Sequence, residues 1–422
     1  MIQLNFLFFA FLALFLLRSG IQLLLEGLNL SYLRRHGKMV PDVFQDFVEH
    51  EKLGKISAYT IDSDRFHLFA SLTSQGCSLI LLLSGFLPWF VKGINRWEFG
   101  EVVSGLIFFG AISIFASLLR IPFNLYDTFV IEDRYGFNTM TLKIWVLDLL
   151  KSLCLSAVLG GLLLYLLLVL VVHGGKAWWF WAWIWVGAVE LLMLWLFPTV
   201  IAPLFNKFDP IEDKELEHRI RTLMEEAGLR AQGVFRMDAG KRSKHTNAFF
   251  SGIGRSKRIV LFDTLLTSHA LEEILAILAH EMGHWKKKHL LKEVLLLEFL
   301  SLLVFYAVSE FLVWPLLYQT FGFQEPIPYV GLFLIGMLLS PLAYFAQPLE
   351  SAISRRFERE ADDFALDLMK TGAPMRNALK RLATDNLANL VPYPLYAWFY
   401  YSHPPLVDRI ARLSGQEVGN RQ

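Results

Sequence analysis

Two histidines and a glutamate, His280, Glu281 and His284, stand close enough in the sequence to share one piece of chemistry. They lie in a run of helix-forming residues, 271–285, that contains no proline. Residues four apart on a helix point the same way, so the two imidazoles can bind one zinc ion while Glu281 reaches a water molecule held by that ion. This H-E-x-x-H pentad is typical of zinc metalloproteases. The alternative is a pair of surface histidines, or of core histidines satisfied by hydrogen bonds.

A catalytic zinc site also needs a third protein ligand and an open fourth position. The acidic residues that follow the pentad and could supply this ligand are Glu293, Glu298, Glu350, Glu358, Glu360 and Asp362. Glu358 and Asp362 are four apart and share a helical face, so one carboxylate could bind the metal while the other accepts a hydrogen bond from a ligand imidazole. The spacing favours Glu358 and leaves Glu360 open. Glu358 beside Arg359 could also be ordinary solvated surface.

The composition is that of a protein that crosses a membrane several times. Of the 422 residues, 55% are hydrophobic and only 19% are charged. Several apolar runs reach the roughly 20 residues needed to cross a bilayer. We count seven spans, at about 4–30, 68–91, 102–121, 144–172, 177–205, 290–318 and 327–353. The formal net charge of +1 gives no reason to expect a nucleic-acid partner.

Charged and polar residues recur within these spans. They are Arg18, Gln75, Arg120, Glu190, Glu298, Glu310 and Glu350. Because charges that face lipid are expensive, this set indicates either internal water or ion pairs between helices. The distribution of lysine and arginine over the loops predicts that the first loop, the segment 206–289 and the C-terminus face the cytosol.

Four regions follow from this reading. They are 1–205, with five spans and their loops; 206–289, a cytosolic insert with a small sheet and the zinc helix; 290–353, with spans six and seven; and 354–422, a helical region that completes the active site.

Within the insert, Asp209-Pro210 is predicted to begin a helix that Gly228 ends. Strands are predicted at 233–237, 247–250 and 258–262, and glycines at 252 and 254 predict a hairpin turn between the last two. The edge of such a sheet could hold an extended peptide, or the sheet could simply pack against the zinc helix.

The chain resembles the type I CAAX prenyl protease family, which are integral-membrane zinc proteases of the gluzincin type. The segments that carry the resemblance are the pentad at 280–284 together with 132–138, 247–249, 257–266, 354–362 and 401–405. Matches run from about residue 120 to residue 413, and the count of seven spans agrees with the family.

The resemblance implies a mainly α-helical protein. It implies seven transmembrane helices that enclose a water-filled chamber, with a gluzincin-like protease domain at the cytosolic end. It implies one Zn²⁺ per chain bound by His280, His284 and Glu358, with Asp362 hydrogen-bonded to a ligand. It implies that His403 lies near the scissile carbonyl, that Arg409 lies near the pocket just past the cut bond, and that Asn247 and Ala248 lie on a strand that pairs with substrate. Without the resemblance, His403 would be interpreted as a capping or turn histidine.

The predicted function is zinc-dependent hydrolysis of peptide bonds, with Glu281 as general base. Predicted substrates are prenylated CaaX C-termini or other membrane-associated polypeptides. One alternative is a quality-control protease like HtpX, which usually has fewer spans. Another is a transporter or scaffold whose zinc only stabilises the fold. The short 319–326 connection and the lack of an appended trafficking signal favour a bacterial inner membrane over an endoplasmic reticulum membrane, with the active site on the cytosolic side.

Overall fold

The computed structural model describes residues 2–251 and 257–419. Among these residues, seven helices are long and apolar enough to cross a membrane. They are, as spans one to seven, Phe6–His36, His50–Leu83, Glu101–Tyr135, Leu142–His173, Gly175–Phe205, His289–Leu312 and Pro328–Met369. At most a third of the most apolar window of any span is buried inside the protein, so the remaining apolar surface needs lipid to cover it. The predicted seven-span, mainly helical membrane architecture is confirmed.

Span two differs from its predicted limits. The sequence predicted 68–91, whereas the helix runs over His50–Leu83. Gly85, with a left-handed φ of 78°, separates it from a short helix, Phe86–Asn95. The polar first half of span two is helical because residues such as Leu53, which is 1% exposed, pack into a core outside the apolar spans. A hydropathy pattern does not record such contacts.

Span seven continues well past its predicted end. The sequence predicted a span that stops at residue 353, but one unbroken helix, Pro328–Met369, extends four more turns. The region predicted to begin at residue 354 therefore starts inside this helix. The extension carries Glu358 and Asp362, so both carboxylates lie on the same continuous helix as span seven.

The shorter helices lie around the ends of the spans. They are Lys214–Glu226, Asp263–Ser268, Leu271–Lys286, Pro315–Thr320, Ala373–Asp385, Pro394–Tyr400 and Leu406–Gly419. The prediction that Asp209-Pro210 begins a helix is wrong, because these residues form a strand. The helix begins at Lys214 instead, since the Asp213 side chain accepts hydrogen bonds from the backbone N–H groups of Glu215 and Leu216, each at 3.0 Å.

A four-stranded sheet packs beside the helix that carries the pentad. Its strands are β1, Phe208–Pro210; β2, Val234–Met237; β3, Ala248–Ser251; and β4, Arg258–Phe262, in the order β1-β2-β4-β3. The three predicted strands are confirmed as β2, β3 and β4, whereas β1 was not predicted. β3 and β4 are antiparallel, as a hairpin requires, and the predicted turn glycines 252 and 254 lie outside the described residues. β3 lies at one edge of the sheet.

A cavity of about 550 Å³ lies between spans one, two, three and seven. Three of the polar residues predicted at membrane depth, Arg18, Gln75 and Arg120, line it. Gln75 also accepts a hydrogen bond from Ser19 Oγ (2.7 Å) and donates one to Gln22 (2.8 Å), both on span one. These groups therefore line a cavity between the helices.

Candidate metal centre

The pentad lies on Leu271–Lys286, hereafter the pentad helix, which is buried over most of its length. The Glu273 carboxylate fixes its first turn, because it accepts a hydrogen bond from the backbone N–H of Ala270 (2.9 Å) and pairs with Arg381 (2.9 Å). Leu278 and its apolar neighbours pack beneath the sheet. The helix that carries the pentad is therefore held from two sides.

The pentad helix packs closely against span seven at Gly283, beside Ala361. A Cβ atom added to Gly283 would lie 2.9 Å from Cα and 3.0 Å from the carbonyl oxygen of Ala361. Only glycine permits this separation. The two backbones can therefore come close enough for side chains one turn away, on either helix, to meet.

His280, His284 and Glu358 meet at this contact. Their potential ligand atoms all lie within 4.8 Å of one another, and in the described part of the chain no other set of three such side chains does so. His280 Nε2 lies 3.3 Å from Glu358 Oε2, His284 Nε2 lies 3.3 Å from Glu358 Oε1, and the two Nε2 atoms are 3.1 Å apart. Glu358 is 4% exposed.

This donor set fits a metal ion. Glu358 Oε2 is buried and receives no hydrogen bond from the part of the chain that the structure describes. Leaving such an oxygen without a partner costs free energy, and a cation would remove that cost. Two imidazole nitrogens and one carboxylate oxygen, with space for solvent on the fourth side, are the donor set of many catalytic zinc sites.

Asp362 contacts the ring nitrogen of His280 that does not face Glu358. Its Oδ1 lies 2.8 Å from His280 Nδ1, which leaves Nε2 directed at Glu358. Asp362 also accepts two hydrogen bonds from Arg409, at 2.9 Å from Nε and 2.6 Å from Nη2. Both partners of this ion pair are buried, and Arg409 Nη1 lies 3.5 Å from Glu358 Oε2. The structure thus places Arg409 beside the candidate ligands, and its predicted contact with substrate stays a prediction.

Glu360, which the spacing left open as a ligand, points elsewhere. Its Oε1 accepts a hydrogen bond from Arg356 Nε (3.1 Å) and its Oε2 lies 3.2 Å from His289 Nε2. His289 in turn lies 3.0 Å from His284, between the Nδ1 atoms of the two rings. His289 was not predicted from the sequence.

A cleft of about 640 Å³ opens beside the candidate ligands. It is lined by the predicted residues Asn247, Ala248, His280, Glu281, His403 and Arg409. Burial raises the pKa of the Glu281 carboxyl above its ordinary value. His403 projects into the open part of the cleft, with its Nε2 3.2 Å from Glu358 Oε1. Residues from four separate stretches of the sequence therefore converge on one site.

The start of the edge strand β3 lines the cleft through Asn247 and Ala248. Asn247 is exposed immediately before it, and Ala248 is buried at its first position. The backbone carbonyl of Asn247 accepts a hydrogen bond from the N–H of Phe262 on β4, so this end of β3 is fixed to the sheet.

The segment 132–138, part of the family resemblance, contacts His245, which lies shortly before β3. Glu132 Oε2 lies 3.1 Å from His245 Nε2, and the ring of Phe137 stacks on that imidazole at 4.0 Å between centroids. The other ring nitrogen, Nδ1, lies 3.1 Å from Asn386 Oδ1. Burial lowers the pKa of His245, but the bonds to these two acceptors outweigh it, so the pKa lies above its ordinary value. The 132–138 segment was part of the family resemblance, whereas His245 was not predicted from the sequence.

Comparisons with known proteins agree with this architecture. A family model described as CAAX prenyl protease N-terminal, five membrane helices, matches residues 29–207, and the model of peptidase family M48 matches residues 210–417. CAAX prenyl protease 1 homolog of Arabidopsis thaliana is 33% identical over 386 residues, which are 90% of this chain and 91% of that protein. CAAX prenyl protease 1 of Saccharomyces cerevisiae is 33% identical over 401 residues, covering 89% and 88%. The crystal structure of S. mikatae Ste24p superposes with a TM-score of 0.90 at 31% identity, covering 95% of this chain and 97% of that one.

Proposed function

We propose how the cleft works from one premise: this chain belongs to peptidase family M48, together with the CAAX prenyl proteases 1, and is a multi-pass membrane metalloendopeptidase. The metal that we propose is zinc, one ion per chain, bound by His280, His284 and Glu358. The observation that supports it is the convergence of their ligand atoms within 4.8 Å around the buried, unsatisfied Glu358 Oε2. Two nitrogens and one oxygen with an open position suit zinc in a hydrolase.

The side chains around the ligands have separate roles in the proposed mechanism. Zinc, when bound, supplies a Lewis acid that makes water a nucleophile at neutral pH. Glu281 accepts a proton from the attacking water and donates it to the leaving amine nitrogen. His403 donates a hydrogen bond from Nε2 to the carbonyl oxygen as that oxygen gains charge. Asp362 and Arg409 hold the ligands in place.

The proposed substrate is a peptide in extended conformation. The outer edge of β3 can pair with it through main-chain hydrogen bonds, which recognises backbone independently of sequence. Asn247 and Ala248 line the same cleft as Glu281, so we assign them to substrate binding. By analogy with the named relatives, we propose prenylated CaaX C-termini as substrates, with other membrane-associated polypeptides as the broader class.

The alternatives from the sequence are less well supported. An HtpX-like quality-control protease usually has fewer spans than the seven described here. A zinc ion that only stabilises a fold is normally coordinated by four protein ligands, whereas three candidate ligands converge among the described residues.

The cleft is proposed to face the cytosol, from the distribution of basic residues over the loops. The bacterial inner membrane stays our prediction for the host membrane, with the endoplasmic reticulum as the alternative in a eukaryotic host.

Glu281→Gln tests the mechanism directly. The purified variant should bind zinc as the wild type does and cleave a quenched peptide at least about 100-fold more slowly, the lower range for loss of a general base. Glu272→Gln, an exposed position on the same helix, is the matched control and should retain full activity. Cleavage by Glu281→Gln at the wild-type rate would refute the proposed role of Glu281. Comparing farnesylated with unmodified CaaX peptides tests the substrate: equal kcat/KM would show that the prenyl group is not recognised.

A further inference from the structure

His289 occupies the first position of span six, immediately after the turn that ends the pentad helix. Lys288, the residue before it, has a left-handed backbone with φ 57° and ψ 39°. That conformation is uncommon for a residue with a side chain and turns the chain back toward the metal centre. His289 is consequently 2% exposed, and its ring stacks on Phe357 with 4.2 Å between centroids and 8° between planes.

The contacts of His289 form a chain of three groups. Its Nε2 faces the carboxylate of Glu360 at 3.2 Å, and its Nδ1 faces His284 Nδ1 at 3.0 Å. Glu360 is an acceptor, so Nε2 of His289 carries the proton. The Nδ1 of a neutral His289 is then an acceptor and takes a hydrogen bond from His284 Nδ1–H. His284 is left with its lone pair on Nε2, the atom 3.3 Å from Glu358.

The other imidazole is arranged in the same way by a different group. Asp362 accepts from His280 Nδ1 at 2.8 Å, and this leaves the Nε2 lone pair of His280 directed at Glu358. In each ligand histidine, the partner at Nδ1 therefore leaves the lone pair on Nε2, the nitrogen that faces the centre. That partner is Asp362 for His280, and for His284 it is His289, which is itself bonded to Glu360. A histidine that binds metal needs such a partner to fix its tautomer and orientation.

We propose that His289, backed by Glu360, is a positioning residue that keeps His284 in the tautomer that binds metal. The proposal rests on the zinc site under Proposed function. It assigns no contact between His289 and substrate or metal. Its consequence is that metal affinity depends on an acceptor at the Nδ1 position of residue 289.

Two substitutions at this position separate a positioning role from a packing role. His289→Phe keeps a flat ring against Phe357 but offers no acceptor. His289→Asn gives up the ring but can place its amide oxygen at the position of Nδ1, since both atoms are two bonds from Cβ. We expect His289→Phe to bind Zn²⁺ about 10- to 100-fold more weakly than the wild type, the usual cost of losing a partner of a metal ligand. His289→Asn should recover most of the affinity.

The measurement is Zn²⁺ affinity of the full-length protein in detergent by chelator competition, with Co²⁺ absorption spectra as a second readout of ligand geometry. His218→Phe, at an exposed histidine, is the matched control. If His289→Phe does not fold, His289→Gln replaces it, because its amide oxygen lies one bond too far to accept from His284.

Three results would overturn the inference. Affinity of His289→Phe within twofold of the wild type would refute it while leaving the zinc site intact. Equal weakening in the Phe and Asn variants would assign His289 to packing. If His284→Ala bound Zn²⁺ as tightly as the wild type, the proposed zinc site would be refuted, and the role of His289 with it.

Discussion

Gly283→Ala should weaken metal binding without touching any ligand. The added Cβ would lie 2.9 Å from Cα, 3.0 Å from the carbonyl oxygen and 3.2 Å from Cβ of Ala361. Favourable carbon–carbon contacts lie at about 3.5–4.0 Å, so the pentad helix and span seven must separate by roughly 0.6–1.1 Å. The candidate ligands stand on opposite sides of this contact. Metal–ligand distances tolerate only about 0.2 Å, so we expect Zn²⁺ affinity to fall at least about 10-fold.

Stability alone is a poor test of this prediction. Overpacking costs about 1–3 kcal/mol, but alanine in a helix is about 0.5–1 kcal/mol more favourable than glycine, so the two effects partly cancel. The decisive assay is therefore Zn²⁺ affinity by chelator competition, with peptide cleavage at saturating zinc as the second readout.

Two further variants sharpen the test. Gly54→Ala, in span two, has nothing within 4 Å of the added Cβ and should bind zinc as the wild type does. Adding Ala361→Gly to Gly283→Ala removes only the 3.2 Å contact and should not restore binding, because the two shortest contacts involve backbone atoms. Wild-type affinity in Gly283→Ala would refute the reasoning.

Three other outcomes follow from buried or strained groups. Asp362→Asn removes the nearer of the two carboxylates that pair with the buried Arg409, so it should cost about 3–5 kcal/mol and lower the apparent Tm. Asp363→Asn on the same helix removes a half-exposed pair and should cost under about 1 kcal/mol. Because the pKa of His245 is raised, its bond to Glu132 stabilises the fold fully below the ordinary histidine pKa of about 6.5, and this stabilisation is lost as the pH rises. Glu132→Gln should therefore lower the Tm more at pH 6 than at pH 8.5. An equal loss of Tm at both pH values would contradict this prediction. Lys288→Gly should unfold no earlier than the wild type in thermal scans, and Lys288→Val several degrees earlier, because valine tolerates a φ of 57° poorly; the reverse order would be inconsistent with the left-handed turn.

The sequence predicted most of the architecture because the signals are local. Seven apolar runs and the period of the pentad depend on neighbouring residues, and so do the short strand-like runs, with their Gly and Ser turn residues, that identified β2, β3 and β4. The limits of spans two and seven were wrong because tertiary packing extends both helices into polar sequence. β1 was missed because three residues around a proline carry no strand pattern, and its pairing partner β2 lies more than twenty residues away.

At the candidate site, spacing and family resemblance identified residues that the structure brings together, but their roles stay proposals. His280 and His284 follow from helical periodicity alone. Spacing favoured Glu358 but could not exclude Glu360, whose side chain is directed to Arg356 and His289 in the structure. His245 and His289 could not be predicted, since each acts through partners brought together only by the fold.

Because its donors are spread along the chain, the centre can assemble only late in biosynthesis. The two histidines leave the ribosome before span six is made, Glu358 follows only at the end of span seven, and His403 and Arg409 come after both. A nascent or partly inserted chain thus holds an incomplete set of donors. On the proposed assignment of donors, hydrolytic capacity therefore arises only after the segment that carries His403 and Arg409 has been made.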